Sequence, residues 1–400
     1  MPYTQGMDFT LPPLVPGKTP AETTVVVAMS GGVDSSCVAA LCQAAGYNTI
    51  GATLQLWDYA GGTDAKTGKK LGTCCALDDV YDAKLVCKKI GIPHHTLKIE
   101  SAFKEAVIDD FVETYIAGAT PIPCVRCNQR IKFDNMLAWA KEQGADVLVT
   151  GHYVRKDYVE NGRGVIRMAA DTKKDQTYYL FTTTQQQLDF INFPLGQVTK
   201  DVTRQLAKDL GLHVHQKAES FDICFVGGGD YRNVLKKFAP EAAKVGNIIR
   251  ADGTVLAQHQ GIVDFTVGQR KGLGGGTAEP LYVIEIRPHT GEVVVGTRAE
   301  LGRTTFTVKD LNWLDTTPPH GQHVTAKVRA QHAGAPAVLT DLGQGRLEVT
   351  FHAPEDQISP GQAAVFYNAE GIMLGGGWIE TKTQAAGRAR PALVTIEKAC

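Results

Sequence analysis

The 400-residue sequence has almost no net charge: 41 Lys and Arg stand against 42 Asp and Glu, a formal value of −1. Bulk electrostatics therefore announce no polyanionic partner, and any nucleic-acid surface has to be local. Long apolar runs are missing too. None approaches the roughly 20 residues needed to span a bilayer, so no membrane partner is expected. The first residues lack a basic stretch followed by an apolar core, which argues against a secretory signal. There is no internal repeat and no low-complexity tract. The nine cysteines, an odd number spread through a long chain, do not form the dense framework of a small secreted domain. Reduced thiols in a cytoplasmic protein are expected, some of them reactive or metal-bound. Apolar content of 43% and charged content of 21% are those of a globular protein, and the length calls for two or three domains.

Two common nucleotide-binding signatures are also absent. No Lys follows the glycines in the spacing of a Walker A loop, and there is no G-x-G-x-x-G. What is present is SGGVDSS at Ser30–Ser36. Val25–Ala28 reads as a buried parallel strand leading into it, and Ser35–Ala45 as a helix stopped by Gly46. A strand, a tight glycine turn and a helix start put several backbone N–H groups at one point, which is an anion site. Gly31 and Gly32 let the backbone approach a phosphate without a Cβ in the way, while Ser30, Ser35 and Ser36 add hydroxyl donors.

From Val25 to about His152, strand and helix alternate: strands at Asn48–Leu56, His94–Ile99 and Val147–Thr150, helices at Leu77–Ile90, Phe103–Ala117 and Asn128–Glu142. The alternation predicts an α/β doubly wound parallel sheet with its ligand at the carboxyl ends of the strands. Residues 1–21 read as a flexible tail, 22–215 as the nucleotide-binding catalytic domain, 216–302 as a small central domain with a hairpin around Pro288–Gly291, and 303–395 as a β-rich domain. About six short alternating segments there, among them Phe306–Val308, His323–Ala330 and Ala363–Tyr367, suggest a small C-terminal β-barrel or a sandwich.

Cys124-Val125-Arg126-Cys127 precedes the helix expected from Asn128, so Cys127 is predicted at a helix N-terminus between Arg126 and Arg130. Both features favour a thiolate. A lone C-x-x-C leaves a redox pair, half a metal site or coincidence open, and no second C-x-x-C completes a zinc site. Cys224 lies among apolar neighbours, a core cysteine or a reactive one with equal ease. Cys37, Cys42 and Cys87 fall in helical patterns as packing residues; Cys74, Cys75 and Cys400 have no assigned role.

SGGVDSS resembles the PP-loop of the ATP pyrophosphatases, which cleave ATP between the α- and β-phosphates and adenylate a substrate oxygen. Further motifs follow in order: CNQRIKF from Cys127, VTGHY ending at Tyr153, KDQ at Lys174–Gln176, DICF ending at Phe225, QRKGL ending at Leu273 and SPGQAAVFY ending at Tyr367. Together, over about residues 24–380, they look like the tRNA-specific 2-thiouridylase family (MnmA). Argininosuccinate, GMP and NAD synthetases share the first motif but account neither for Cys127 with Cys224 nor for the β-rich C-terminus.

The resemblance implies an enzyme that replaces O2 of the tRNA wobble uridine by sulfur, with ATP and Mg²⁺ as cofactors and a persulfide as sulfur source. It implies nucleotide contacts from Ala28, Met29, Ser30, Gly31, Gly32, Val33, Asp34, Ser35, Leu54 and Gly151. Cys224 would carry the persulfide and Cys127 would be its partner nucleophile, their disulfide being the spent product. Ile122, Pro123 and Cys124 would line the target base, while His152, Lys174, Asp175, Gln176, Arg329, Ala330 and Gln362 would touch tRNA. Implied partners are tRNA and a persulfide-donating sulfur carrier or cysteine desulfurase. The chain departs from the family pattern Asn-Pro-Asp-x-x-Cys, reading Ile122-Pro123-Cys124-Val-Arg-Cys127: Cys124 stands where the Asp proposed as general acid/base belongs. A thiol there can transfer protons, resolve a disulfide with Cys127, or join Cys127 and Cys224 as ligands of a 4Fe–4S cluster. Persulfide chemistry ranks first and the cluster second.

Overall fold

The computed structural model describes residues 9–56, 77–219, 223–226, 230–239, 244–273, 279–356 and 358–380. Cys74, Cys75 and Cys400 lie outside these. The described residues form two compact units, one from those up to Ala106 together with those of Arg126–Gly229, the other from Val107–Val125 and the described part of Asp230–Arg390.

In the first unit the strands are β1 (Thr24–Ala28), β2 (Asn48–Gln55), β3 (His94–Lys98), β4 (Val147–Thr150), a two-residue β7 (Ile191–Asn192), and the separate hairpin β5 (Arg155–Tyr158) and β6 (Gly164–Arg167). The main sheet has the order β3-β2-β1-β4-β7 with every pair parallel, as the alternation predicts. Val25, Val26 and Val27 of the central β1 are fully buried, the β-branched signature of a strand covered on both faces. Helix α1 (Val33–Ala44) starts two residues earlier than expected, because Gly32 already serves as N-cap, and is followed by Gly46 at φ +88°. Cys37, Cys42 and Cys87 pack in this core as anticipated, and burial pushes the Cys37 and Cys87 thiols up to about 12. They are inert as nucleophiles at neutral pH.

Two expectations are corrected. The stretch read as a flexible tail is anchored in part. Leu14 is 2% exposed, its N–H donates to the Tyr47 hydroxyl at 3.2 Å, and its carbonyl accepts from Asn192 at 3.1 Å. Apolar Phe9, Leu11 and Val15 pack against the same core. The helix expected from Asn128 begins at Pro123 and runs to residue 142, as Pro123–Arg126, a π-helical stretch Cys127–Met136, and Leu137–Glu142. Pro123, with its preset φ and no N–H to satisfy, suits the first helical position. Cys127 is therefore a full turn inside the helix and buried, and Cys124 occupies the first turn, exposed.

The second unit holds a four-stranded sheet of order β10-β11-β8-β9, from β8 (Gly246–Arg250), β9 (Val255–His259), β10 (Tyr282–Arg287) and β11 (Glu292–Gly296). It also holds a closed barrel, β12-β15-β14-β13-β16-β17, which settles the choice between barrel and sandwich. Its strands are β12 (Arg303–Trp313), β13 (His323–Lys327), β14 (Ala335–Gly343), β15 (Arg346–Glu355), β16 (Ala363–Tyr367) and β17 (Met373–Ile379). Closure removes the open edges that would invite other strands. It depends on close approach of β12 to β17: a Cβ on Gly375 would lie 2.4 Å from the Asn312 carbonyl oxygen, and one on Gly377 2.9 Å from that of Lys309. Gly375→Ala is expected to lower stability by about 2 kcal/mol or more through backbone displacement, read as the midpoint and slope of urea unfolding.

Candidate active site

The carboxyl ends of β1, β2 and β4 lie side by side, with Ala28 in register with Ala52 and Thr150. This brings together the loop after β1, Leu54 near the end of β2 and Gly151 just past β4. The Met29 N–H donates to the Ala52 carbonyl at 2.7 Å, carrying the ladder one residue into the loop. Gly31 then turns the chain at φ +70°, where an added Cβ would sit 2.2 Å from the Asp79 carbonyl oxygen. A Cβ on Gly151 would lie 2.8 Å from the Ser35 nitrogen, so β4 runs directly against the helix start. The Ser35 hydroxyl ties the loop across its neck: it accepts from the Ser30 N–H at 3.1 Å and lies 3.2 Å from the Ser30 hydroxyl. The first amide to enter the helical ladder here is that of Ser36, donating to the Gly32 carbonyl at 3.3 Å. Val33, Asp34 and Ser35 occupy the open end of α1, where amide donors and the helix dipole attract an anion.

The loop contains no cation; two arrive from elsewhere in the chain. Lys200, at the start of the helix Lys200–Asp209, is 7% exposed, and its ammonium lies 2.7 Å from each carboxylate oxygen of Asp34. It is also 3.3 Å from Glu219, which in turn accepts from Lys174 at 2.6 Å. The Tyr153 hydroxyl reaches Asp34 at 3.1 Å and Thr203 at 2.8 Å. Lys217 donates to Asp79 at 2.6 Å, to Asp82 at 2.5 Å and to the Gly31 carbonyl at 3.1 Å, linking helix α2 (Leu77–Ile90) to the loop. Partial burial disfavours charge on Lys217 and Asp82, but their mutual hydrogen bonds outweigh it, raising the pKa of the lysine and lowering that of the acid. Glu219 is likewise lowered, its bonds to Lys174 and Lys200 prevailing over desolvation.

The residues expected to meet RNA are placed as follows. His152 is half-buried between the rings of Phe133 and Phe193, its Nδ1 2.8 Å from the Thr150 hydroxyl; desolvation, with help from Lys132, holds its pKa well below 6.5. Asp175 accepts from the Ala169 N–H and the Thr177 hydroxyl, and the Gln176 side chain accepts from the Tyr153 N–H at 2.8 Å, so both brace the fold. In the second unit Ile122 and Pro123 are buried, Arg329 donates to the Val267 carbonyl at 2.8 Å beside Ala330, and Gln362 donates to the Thr120 carbonyl at 3.1 Å. Cys224 is half-buried in a turn, next to Phe225, whose ring meets Phe103 edge-on at 6.0 Å. Among the described residues, no three His, Cys, Asp or Glu side chains are grouped to hold a metal ion. Of the three cysteines offered as cluster ligands, Cys124 belongs to the second unit and Cys127 and Cys224 to the first, and no step is derived through a cluster.

Sequence reasoning missed Lys200, Lys217, Glu219 and Asp79. Lys200 and Lys217 lie 166 and 186 residues from the loop groups they bind, and no local pattern marks them.

Two outcomes are expected. Removing one partner of the Lys200–Asp34 pair strands a charge in a mostly dry setting. Lys200→Met should cost about 1–3 kcal/mol, discounted because Asp34 retains solvent contact, and a double-mutant cycle with Asp34→Asn should show clear coupling by urea unfolding. The second outcome concerns pH. His94, desolvated beside Lys84 and bonded to Thr53 at 2.8 Å, is lowered to about 4, and His152 is lowered too. Between roughly pH 6.5 and 4 the unfolded chain binds protons that the folded chain refuses, so stability should fall as pH drops through that window and stay flat from these groups above pH 7. In His94→Gln the decline should be shallower.

Residues 23–228 match the family profile described as the tRNA methyl transferase HUP domain, 232–297 its PRC-barrel domain and 303–379 the aminomethyltransferase beta-barrel domain. The tRNA-specific 2-thiouridylase MnmA of Paracoccus denitrificans is 49% identical over 366 residues, 90% of this chain and 92% of that one. Its counterpart in Rickettsia canadensis is 48% identical over 360 residues, 90% and 96% of the two chains. A solved U34-tRNA thiolase, NcsA from Methanococcus maripaludis with its 4Fe–4S cluster, aligns at 18% identity over 57% of this chain and 68% of its own, with a TM-score of 0.31, too slight a likeness to bear on the site. Identity near one half, sustained over nine-tenths of the chain, leaves one assignment: the chain belongs to the MnmA family of tRNA-specific 2-thiouridylases.

Proposed function

We propose that the protein makes 2-thiouridine at the wobble position of tRNA, activating O2 of the base with ATP and replacing it with sulfur from a cysteine persulfide. The observation that carries this reading is the anion site at Ser30–Ser36, glycine-turned and flanked by Lys200 and Lys217. Ala28–Ser35, Leu54 and Gly151 frame the nucleotide at the strand ends. Mg²⁺ enters with ATP as part of the substrate. The triphosphate competes with Asp34 and Asp79 for the two ammonium groups, which supply the positive charge that the loop lacks.

Uridine O2 attacks the α-phosphorus and pyrophosphate leaves, turning a poor leaving group into AMP. The terminal sulfur of a Cys224 persulfide attacks C2 and AMP departs. The Cys127 thiolate then attacks the Cys224 sulfur, the S–S bond of the persulfide breaks, and sulfur stays on C2. The resulting Cys127–Cys224 disulfide carries the two-electron oxidation and is reopened by an external dithiol. A persulfide-bearing carrier or desulfurase reloads Cys224. Cys124, exposed in a first helical turn, is the group assigned to proton transfer at the base. Ile122 and Pro123 line the flipped uridine. His152, Lys174–Gln176, Arg329–Ala330 and Gln362 form the expected RNA margin, with residues 216–302 and 303–395 holding the tRNA by backbone and shape. No described helix is long and apolar enough to cross a membrane, and a cytoplasmic setting fits a thiol enzyme acting on tRNA.

Iron-free protein given Mg-ATP, a persulfide donor and unmodified tRNA should yield 2-thiouridine by nucleoside mass spectrometry, with equimolar AMP and pyrophosphate. Cys127→Ser and Cys224→Ser should each lose thiolation at least about 100-fold while still releasing pyrophosphate. Thiolation that appears only after reconstitution with iron and sulfide would replace this scheme by the cluster reading.

A further inference from the structure

The loop ahead of Cys124 is poor in its own donors. Pro121 and Pro123 have no N–H, so between Thr120 and Cys124 only Ile122 can donate from the backbone. A stretch like this cannot fix its own conformation; its carbonyls need partners from outside. The structure supplies them from one turn of the barrel, Ser359–Gln362, within the same compact unit. The Thr120 N–H donates to the Pro360 carbonyl at 2.8 Å, and the Thr120 and Ser359 hydroxyls lie 3.2 Å apart. The Gln362 amide nitrogen donates to the Thr120 carbonyl at 3.1 Å and lies 3.5 Å from that of Pro121. Gly361, at φ +81°, passes so close that an added Cβ would be 2.9 Å from both the nitrogen and the oxygen of Thr120.

The barrel turn is itself fixed. The Gln362 N–H donates to the Ser359 carbonyl at 3.1 Å, and its carbonyl accepts from the Ile379 N–H at 2.8 Å. At the loop's other end Gly118, at φ +69°, abuts Pro288 and Ile286 of the β10–β11 hairpin. The approach to Ile122–Cys124 is thus held between two β structures, with the Gln362 amide bonded to the Thr120 carbonyl just ahead of it.

We infer that Gln362 is a positioning residue for this reaction: its amide sets the Thr120–Pro121 backbone that presents Ile122, Pro123 and Cys124 to the target base. The inference rests on the functional reading above only where it refers to the base; the hold on the loop is testable apart from it. A residue that aligns reacting groups acts on the chemical step, because small displacements of the site reduce the fraction of bound substrate in reactive geometry. A direct RNA contact acts on binding.

The test uses the full-length protein with Gln362→Met, which keeps length and removes the donor, and Gln362→Glu, which sets an acceptor against carbonyl oxygens. Ser359→Ala serves as a milder variant on the same strap. Amide hydrogen exchange at Thr120, Ile122 and Cys124 should accelerate about tenfold in Gln362→Met and further in Gln362→Glu. kcat for thiolation should fall about tenfold, with KM for tRNA within about twofold of wild type. Unchanged exchange in both variants overturns the inference, as does a raised KM with kcat preserved, which would make Gln362 an RNA contact. If the wild type makes no 2-thiouridine, the functional reading fails while the exchange result still decides whether Gln362 holds the loop.

Discussion

The contact on which the site depends is the nearly buried Lys200 ammonium held on both oxygens of Asp34. A buried cation is tolerable only with close counter-charge, and satisfying it ties distant parts of the chain together. Asp34 belongs to the first turn of α1, Lys200 to the start of a helix 166 residues later, and Tyr153 to the segment after β4. Glu219 joins from the other side, with Lys174 and Arg204 at 2.6 and 3.8 Å. Together with Lys217, Asp79 and Asp82 this makes four cations and four carboxylates around one anion site. The balance is local as well as global. An anion-binding loop is built without a strong external field, in keeping with a chain whose formal charge is −1. Lys200 and Lys217 each also have a second acid, so one carboxylate can yield to a phosphate without stranding the ammonium.

What the sequence discloses is what is encoded locally. The β-branched run of β1, the glycines after α1 and α2, and the SGGVDSS turn mark the parallel sheet and its ligand edge, because each property acts within a few residues. The cations are another matter. Nothing around Lys200 or Lys217 differs from any surface lysine in sequence; only the strand order β3-β2-β1-β4 brings them to the loop. The misplaced helix start has a different origin. Two prolines, Pro121 and Pro123, both read as breakers, whereas Pro123 suits the first turn, and the error moved the helix N-terminus from Cys124 to Cys127. The anchored residues near Leu14 were misread because composition alone hides which apolar side chains find a pocket.

Burial sorts the cysteines more sharply than spacing does. Cys37 and Cys87 are pushed up to about 12 by desolvation, far from a thiolate at neutral pH, and Cys42 lies in the same core. Cys124 is exposed and Cys224 half-exposed, while Cys127 is buried one turn into a helix. Three cysteines of one sequence type thus sit in three environments. An exchange that passes sulfur from one to another requires differences of this kind, since thiols of identical reactivity would give no direction to the transfer.

Cys124 in place of the family's carboxylate changes what that position can give. A carboxyl group with an ordinary pKa of about 4 is ionised at neutral pH and can only accept a proton. A thiol, with an ordinary pKa of about 8.5, can give a proton as well as take one. Adenylation removes a proton from the base and sulfur transfer returns electron density to it, so a group able to serve in both directions suits a two-step exchange. The same thiol brings a liability, because a persulfide three residues away at Cys127 would meet a nucleophile already in place. A sulfur carried on Cys224, as proposed above, stays on a separate segment of the chain.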